Sequence, residues 1–214
     1  MSALLLLGAG GHAKVVAETA IASGQFSQIG YLDDRFTGPG QQRPILGWPL
    51  LGTFAQAMEP ELTQQWRAAF VAIGNSRLRL QFLQRLSDAG YQLPVLIHPT
   101  AWVSPSAQIG HGSAVFARAT VQAQAQIGRG AILNTSCSVD HDAQLADGVH
   151  ICPGAHLAGE VEVGARSWIG IGSSVIQQVC IGSDVNVGAG AAVVSDLPDM
   201  VTAVGVPAMV LDKP

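Results

Sequence analysis

Charged residues are scarce in this chain of 214 residues. Asp, Glu, Lys and Arg together account for 12% of it, whereas an average soluble domain has about 25%. Hydrophobic residues account for 48%. This combination excludes an intrinsically disordered chain, which needs low hydrophobicity and high net charge. The low charge indicates either a fold that needs few charged residues or extensive burial of surface between subunits.

Aromatic residues, long apolar runs and patterned cysteines are also missing or rare. Aromatics make up 6% of the chain, so small and β-branched residues must fill the core. The apolar run Leu4–Leu7 is too short for a signal peptide or a membrane span. Cys137, Cys152 and Cys180 follow no disulfide or zinc spacing, which predicts reduced thiols and a cytoplasmic protein.

Positive charge is sparse in the C-terminal half. Residues 99–214 contain 4 Lys and Arg against 9 Asp and Glu, and the net charge of the whole chain is −4. A protein that binds nucleic acid through the phosphate backbone needs a basic patch or stripe. The charge distribution therefore argues against non-specific nucleic-acid binding.

A repeat of six residues fills this half. Every sixth residue is aliphatic without interruption, and the residue two positions before it is always Ala, Ser, Cys or Val. The aliphatic positions are Val103, Ile109, Val115, Val121, Ile127, Leu133, Val139, Leu145, Ile151, Leu157, Val163, Ile169, Val175, Ile181, Val187 and Val193. Short periods of this kind are typical of solenoids.

The repeat predicts short strands joined by tight corners. Three hexapeptides close one coil, and the aliphatic and small residues point inward. Glycine often follows the aliphatic residue, as at Gly110, Gly128, Gly164, Gly170, Gly182 and Gly188, and we expect these glycines to supply the permissive dihedrals of the corners. We predict an all-β left-handed parallel β-helix over residues 99–214. A β-sandwich would need longer strands and irregular spacing.

The N-terminal part begins like a nucleotide-binding unit. A strand at Leu4–Leu7 leads into Gly8–Ala13, which fits the pattern G-x-G-x-x-A, and a helix follows over Lys14–Ala22. A second strand, Ile29–Leu32, ends in Asp33 and Asp34. The glycines allow a diphosphate to approach the helix N-terminus, and the acids suit a ribose hydroxyl. The alternative is a glycine turn that serves only packing.

The rest of this part predicts a small α/β domain. We expect strands at Phe70–Ile73 and Val95–Ile97 and a helix at Arg77–Ala89. Residues 1–98 are therefore interpreted as a Rossmann-like domain that binds a nucleotide sugar. They leave room for one mononucleotide half and not for a complete NAD site.

These features together resemble the nucleotide-sugar N-acetyltransferases, and the resemblance covers essentially the whole chain. The family includes the UDP-4-amino-sugar enzymes of bacillosamine synthesis, the perosamine N-acetyltransferases and the related sialic acid O-acetyltransferases. The most specific match is Asn134, His141-Asp142 and His150 at spacings of seven and nine. The family normally has His-Glu where this chain has His141-Asp142, and Asp140 is a second candidate partner for the histidine. By overall likeness, the GDP-perosamine enzymes are the most similar members.

The resemblance implies an acetyl-CoA-dependent 4-N-acetyltransferase of a nucleotide-linked dideoxy amino sugar, without a metal, in lipopolysaccharide O-antigen synthesis. It implies a homotrimer with active sites between subunits. The implied catalytic residues are His141 and Asp142. The implied substrate-binding residues are Gly10, Gly11, His12, Asp33, Asp34 and Asn134. The implied acetyl-CoA-binding residues are His150, Gly159, Ile171, Ala189, Gly205 and Pro207.

His141 also stands out on its own chemistry. It lies between two carboxylates, and a carboxylate on one ring nitrogen fixes the tautomer and leaves the other nitrogen free to take a proton. Since neighbouring strand residues point to opposite faces, the contact requires a corner. His111 and His156 have no supporting neighbours and are interpreted as surface residues. Cys137 is interpreted as core, so direct transfer is favoured over an acyl-enzyme.

Other functions stay open on the sequence. UDP-linked amino sugars and hydroxyl acceptors such as sialic acids are alternatives. A zinc carbonic anhydrase on the same kind of fold would need three histidine ligands, for which His141, His150 and His156 are available. A non-catalytic NAD-binding module is a third class. Met209 stands where the family has a lysine after G-[NV]-P-A, so Lys213 and Arg166 are candidates for the contact to coenzyme A phosphate.

Overall fold

A computed structural model describes residues 2–36 and 44–211 of the chain. The chain divides into two compact units, residues 1–97 and 98–214. Within the described residues, no helix has the length and apolar character needed to cross a bilayer.

The first unit is built on a parallel sheet of four strands in the order β3-β2-β1-β4. The strands of this unit are β1 (Ser2–Leu7), β2 (Phe26–Leu32), β3 (Leu50–Gly52), β4 (Ala68–Val71) and the short β5 (Leu96–Ile97). The helices are α1 (Gly11–Ala22), α2 (Pro60–Gln65) and α3 (Ser76–Asp88), with 3-10 turns at Asp34–Phe36 and Phe54–Met58.

The predicted elements of this unit are present, with shifted ends. Leu4–Leu7 is completely buried, as a central parallel strand covered on both faces requires. α1 begins at Gly11, inside the glycine-rich motif and not after it. β3 was not predicted, because three residues that follow a proline and end on a glycine give no periodic signal.

Three chain segments meet at the carboxyl ends of the central strands. The Gly8 N–H donates to the Leu32 carbonyl at 2.8 Å. Gly8 has a φ of 112°, and a Cβ there would lie 2.7 Å from the Ala72 carbonyl oxygen. Only glycine fits this crossing. Ligands of open α/β sheets bind at this edge, so the fold brings the glycine-rich loop, the end of β2 and the end of β4 to the expected place.

The second unit is a left-handed parallel β-helix. From Trp102–Val103 to Ser174–Val175, each short strand pairs in parallel with the strand eighteen residues later, for example His150 with Trp168, whereas the last two strands of the unit pair antiparallel. Its strands are β6 (Trp102–Val103), β7 (Gln108–Ile109), β8 (Ala114–Val115), β9 (Thr120–Val121), β10 (Gln126–Ile127), β11 (Ile132–Leu133), β12 (Ser138–Val139), β13 (Gln144–Leu145), β14 (His150–Ile151), β15 (His156–Leu157), β16 (Glu162–Val163), β17 (Trp168–Ile169), β18 (Ser174–Val175), β19 (Cys180–Ile181), β20 (Asn186–Val187), β21 (Ala192–Val193), β22 (Thr202–Val204) and β23 (Met209–Val210).

The strands form three faces. The first contains β6, β9, β12, β15, β18 and β21, the second β7, β10, β13, β16 and β19, and the third β8, β11, β14, β17, β20, β22 and β23. We call the turn from the first to the second face the first corner, from the second to the third the second corner, and from the third back to the first the third corner. Each strand from β6 to β21 ends on a predicted aliphatic residue, and these residues fill the interior.

The expectation that the glycines after the aliphatic residues supply the permissive corner dihedrals is wrong. The glycines that follow the aliphatic residues do not have positive φ; the left-handed φ falls two residues later, at Gly130 as well as at Arg118 and Asp142. The preceding glycines are needed for another reason, because a Cβ at Gly128 would lie 2.6 Å from the backbone carbon of Ala146 in the next coil. Close stacking of coils therefore selects glycine there, and backbone strain does not.

Candidate active site

His141 and Asp142 form a hydrogen-bonded pair at the first corner. Nδ1 of His141 lies 2.9 Å from Oδ2 of Asp142. Successive side chains meet because Asp142 has a φ of 58°, a left-handed conformation that Asp adopts more readily than most residues. Asp140 accepts the backbone N–H of His141 at 2.8 Å. Asp142 is therefore the acid that orients the ring, and Asp140 supports the backbone.

The pair is open to solvent and electrostatically tuned. The side chains of His141 and Asp142 are 54% and 55% exposed. The hydrogen bond that Asp142 accepts raises the pKa of His141, and the negative charges of Asp140 and Glu160 add to the shift. Because Nδ1 faces the carboxylate, Nε2 is the nitrogen that can take up a proton.

Gly159 supports the other side of the imidazole. It lies eighteen residues after His141, one coil further along the same corner. A Cβ at this position would lie 2.5 Å from Cε1 and 2.6 Å from Nε2 of His141. The ring thus occupies the space that any larger residue at position 159 would fill.

A second polar group contains Asn134 and His150. Nδ2 of Asn134, at the third corner, lies 3.1 Å from Nε2 of His150 on the third face. His150 is buried and packs against the half-exposed ring of Trp168, with ring centroids 4.1 Å apart. Trp168 was not among the predicted site residues, although it follows His150 by one coil and pairs with it across β14 and β17.

His156 has a partner that the sequence analysis missed. Its Nδ1 lies 2.8 Å from Oγ of Ser138, and the two residues are paired across β12 and β15. The expectation that His156 lacks a supporting neighbour is therefore wrong. The partner lies one coil away, and a search at a separation of eighteen residues would have found it.

Ile171 and Ala189 occupy the third corner in successive coils, and Ile171 is exposed. Gly205 and Pro207 lie in the turn between β22 and β23. Met209 is exposed in β23. Arg166 is held by Asp184, through contacts of 2.9 Å and 2.6 Å. Lys213 lies outside the described residues.

The glycine-rich loop lines a pocket of about 360 Å³ in the first unit. All five residues predicted there line it, namely Gly10, Gly11, His12, Asp33 and Asp34. Arg35, Phe54, Ile73, Gly74 and Leu78 also line it, and none of them was predicted as a site residue. A pocket at the carboxyl edge of a parallel sheet is the usual ligand site of this architecture.

Asp33 is tied to the loop itself. Its Oδ2 accepts the Ala9 N–H at 2.8 Å, and its Oδ1 accepts Nε of Arg35 at 2.9 Å. Burial raises the pKa of this carboxyl, but the hydrogen bonds from Arg35 and Ala9 outweigh it and the net shift is downward. Asp34 accepts the Phe54 N–H at 2.8 Å. Both carboxylates thus hold backbone that shapes the pocket.

His12 is neutral in its surroundings. Burial and, to a smaller extent, the positive charge of Arg79 lower its pKa to about 4. An uncharged imidazole offers a hydrogen-bond donor and an acceptor but no charge for a diphosphate.

The predicted residues therefore fall into separate groups. The N-terminal residues share a pocket in the first unit, His141 and Gly159 share the first corner, and Asn134 contacts His150 at the third corner. Within residues 2–36 and 44–211, no three or more His, Cys, Asp and Glu side chains are arranged to hold a metal ion. Burial raises the pKa of the Cys137 thiol to about 12, which disfavours a nucleophilic thiolate.

Comparison with known proteins gives the chain a family. Residues 3–86 match the family described as the PglD N-terminal domain. The acetyltransferase domain of PglB from Neisseria gonorrhoeae is 46% identical, with 99% of this chain and 100% of that chain covered and a TM-score of 0.92. This chain belongs to the nucleotide-sugar N-acetyltransferases with a left-handed β-helix. The PglB domain has also been solved in complex with acetyl coenzyme A.

Two further relatives of the family carry information on ligands. A histidine-to-asparagine mutant of perosamine N-acetyltransferase from Caulobacter crescentus, in complex with CoA and GDP-perosamine, is 41% identical, with 100% of this chain and 98% of that chain covered and a TM-score of 0.93. UDP-N-acetylbacillosamine N-acetyltransferase of Bacillus subtilis (strain 168) is 39% identical over 118 residues, which is 55% of this chain and 52% of that enzyme. That match spans about half the length of the curated relative.

Proposed function

We propose that this protein transfers the acetyl group of acetyl-CoA to the 4-amino group of a nucleotide-linked dideoxy amino sugar. His141, oriented by Asp142 on an open corner, is the observation that carries the proposal, because it places a base with a raised pKa where a substrate can reach it. GDP-perosamine is the favoured acceptor, since a mutant of perosamine N-acetyltransferase that is 41% identical, with all of this chain covered, is in complex with CoA and GDP-perosamine.

The reaction is direct transfer in a ternary complex. The sugar amine attacks the thioester carbonyl, a C–N bond forms, and Nε2 of His141 takes the amine proton. The tetrahedral intermediate collapses with cleavage of the C–S bond, and the histidine returns the proton to the thiolate. A backbone N–H of the coil is the simplest donor for the oxyanion. General-base catalysis of this kind contributes about 10²–10⁴-fold.

The nucleotide sugar occupies the pocket of the glycine-rich loop. Gly10, Gly11 and His12 meet the diphosphate and the sugar, and neutral His12 acts there as a hydrogen-bonding group. Asp33 and Asp34 are the candidates for the base or ribose, but their backbone contacts favour a role in shaping the loop.

Acetyl-CoA binds along the β-helix in this proposal. His150, held by Asn134, lies near the thioester, and Asn134 also faces the sugar. Gly159, Ile171 and Ala189 line the pantetheine channel, and Gly205 with Pro207 borders the coenzyme A end. Because Arg166 is engaged with Asp184, it is a weak candidate for a phosphate contact.

We infer a homotrimer with active sites between subunits. His141 and Asn134 belong to different corners of one chain, with β12 between them. A neighbouring copy that presents its third corner to the first corner of its partner would unite the two groups. A cytoplasmic location and a role in O-antigen synthesis accompany this proposal.

A free-thiol release assay tests the proposal. Acetyl-CoA is supplied with GDP-perosamine, with a UDP-linked 4-amino sugar and with sialic acid, and coenzyme A release is followed. We expect release with the GDP sugar. Release only with the UDP sugar would favour the alternative acceptor that the Bacillus subtilis relative suggests. Activity only with sialic acid would show that the protein is an O-acetyltransferase and would contradict the proposed N-acetyl transfer.

A further inference from the structure

Arg79 is a fully buried cation in the first turn of α3. It is 1% exposed. Its Nη1 donates to the Ile73 carbonyl at 2.9 Å and to the Gly74 carbonyl at 2.8 Å, and its Nη2 lies 3.3 Å from Oγ of Ser76. Burial lowers the pKa of the guanidinium to about 10. Removing a charge from water is costly, so a buried arginine indicates that its hydrogen bonds have a specific structural role here.

The carbonyls that Arg79 holds belong to a wall of the nucleotide pocket. Ile73 and Gly74 line that pocket together with the glycine-rich loop. They follow β4, and they precede Asn75, whose side chain caps α3 by accepting the Leu78 N–H at 2.9 Å. Nη1 holds both carbonyls while Nη2 reaches Ser76, so the planar guanidinium makes its contacts from two nitrogens, whereas a lysine side chain has only one. Arg79 thus holds the backbone of this wall and does not itself line the pocket.

The same guanidinium acts on His12. Its charge is the electrostatic influence that adds to burial in keeping the imidazole uncharged. The other charged groups that line the pocket are Asp33, Asp34 and Arg35, which come from the end of β2 and the following turn. The one charged residue of α1 next to this motif is Lys14. Arg79 therefore contacts the Ile73–Gly74 backbone, and its charge also favours the neutral form of His12.

We propose that Arg79 is a positioning residue for the nucleotide sugar, which holds the Ile73–Gly74 wall in place without touching the ligand. This inference rests on the proposed function, because the ligand is a nucleotide-linked amino sugar. It assigns to one buried side chain the shape of the pocket.

The test compares Arg79→Met with Arg79→Lys, and Arg77→Met serves as the matched control. Arg77 is an exposed arginine on the same helix, two residues away and on the opposite side. Circular dichroism and thermal unfolding first establish which variants fold. Steady-state kinetics then give KM for GDP-perosamine, KM for acetyl-CoA and kcat. Histidine titration by NMR without substrate gives the pKa of His12, assigned with a His12→Asn variant.

We expect KM for the nucleotide sugar to rise at least about tenfold in Arg79→Lys, because one ammonium group cannot reproduce the contacts of Nη1 and Nη2 together, while KM for acetyl-CoA stays within about twofold. In the lysine variant His12 stays at low pKa because a positive charge remains. In Arg79→Met the pKa of His12 rises from about 4. Arg77→Met changes none of these values. If Arg79→Met does not fold, the lysine variant and its KM split decide the matter.

Different failures point to different errors. If the wild type releases no coenzyme A with any amino-sugar nucleotide, the proposed function is wrong; the NMR titration of His12, which needs no substrate, still tests the link between Arg79 and His12. If the wild type is active and Arg79→Lys shows unchanged KM for the sugar, the positioning role is wrong. An equal rise of both KM values, or a fall in kcat alone, would indicate only a general structural role and would also overturn it.

Discussion

The imidazole of His141 packs directly on Gly159, which lies eighteen residues later in the neighbouring coil. Asp142 fixes one edge of the ring through Nδ1, and the bare Cα of Gly159 leaves room for the opposite part of the ring, Cε1 and Nε2. Two residues that share no chemistry thus define the orientation of one functional group.

Gly159→Ala should lower turnover without unfolding the protein. Gly159 does not have a positive φ, so alanine suits its backbone, but the new Cβ would collide with Cε1 and Nε2 of His141. We expect the flexible histidine to move and kcat to fall at least about tenfold, since small misplacements of catalytic groups are costly. The same change in a His141→Asn background should have little further effect on kcat. Equal losses in both backgrounds would contradict the packing role.

His141→Asn should keep the fold and sugar binding but reduce kcat at least about a hundredfold, because the general base is lost. Coenzyme A release at neutral pH gives kcat, and binding of the GDP sugar is measured by calorimetry. His111→Asn is the control, since His111 is also an exposed histidine at a corner of the same unit. A near-normal kcat for His141→Asn would remove His141 as the base.

Asp142→Asn should move the acidic limb of the pH–rate profile to lower pH. The base acts in its neutral form, so the limb follows the pKa of His141, and Asp142 raises that pKa. Loss of the carboxylate lowers the pKa again, while the weaker and less well oriented base lowers the plateau. Asparagine tolerates the left-handed φ of this position, so the corner should persist.

Asp140→Asn is the matched control for that experiment. Asp140 holds the backbone N–H of His141 and affects the ring only by its charge. We expect a smaller shift of the limb than in Asp142→Asn. A larger shift for Asp140→Asn than for Asp142→Asn would show that Asp140, and not Asp142, orients the ring.

His150→Ala should raise KM for acetyl-CoA by about tenfold with a smaller effect on KM for the sugar, because it removes a buried hydrogen-bonded group and the support of Trp168. Initial rates at varied concentrations of each substrate give both constants. Trp168→Phe keeps an aromatic ring on the same face and serves as the control. An unchanged KM for acetyl-CoA in His150→Ala would move the coenzyme away from this group.

The fold could be predicted almost completely from the sequence. The six-residue repeat predicted the position of each coil strand from Val103 to Val193, because the coil geometry requires an aliphatic residue that points inward in each strand. Its error concerned the glycines after the aliphatic residues, since spacing alone does not distinguish a need for positive φ from a need for close stacking. The weak strand β3 escaped because it is short and aperiodic.

The candidate site was predictable only where its signal is local. Asp142 next to His141 and the glycine-rich loop stand in the sequence itself. Ser138 and Trp168 emerge only when residues are compared across one coil. Arg79 gave no signal, since its function depends on carbonyl groups, which every residue possesses, and on burial that no short pattern reveals.

The eighteen-residue coil also limits how the length of this enzyme can evolve. Insertion of one hexapeptide between His150 and Gly159 would preserve the strand pattern but rotate everything after it by a third of a turn about the axis. Gly159 would then leave its position beside the imidazole, and Trp168 would leave His150. Length changes between such pairs therefore break the site if they alter the number of residues in the coil. They are tolerated elsewhere in the unit, or as loops that protrude from a corner and leave the coil itself unchanged.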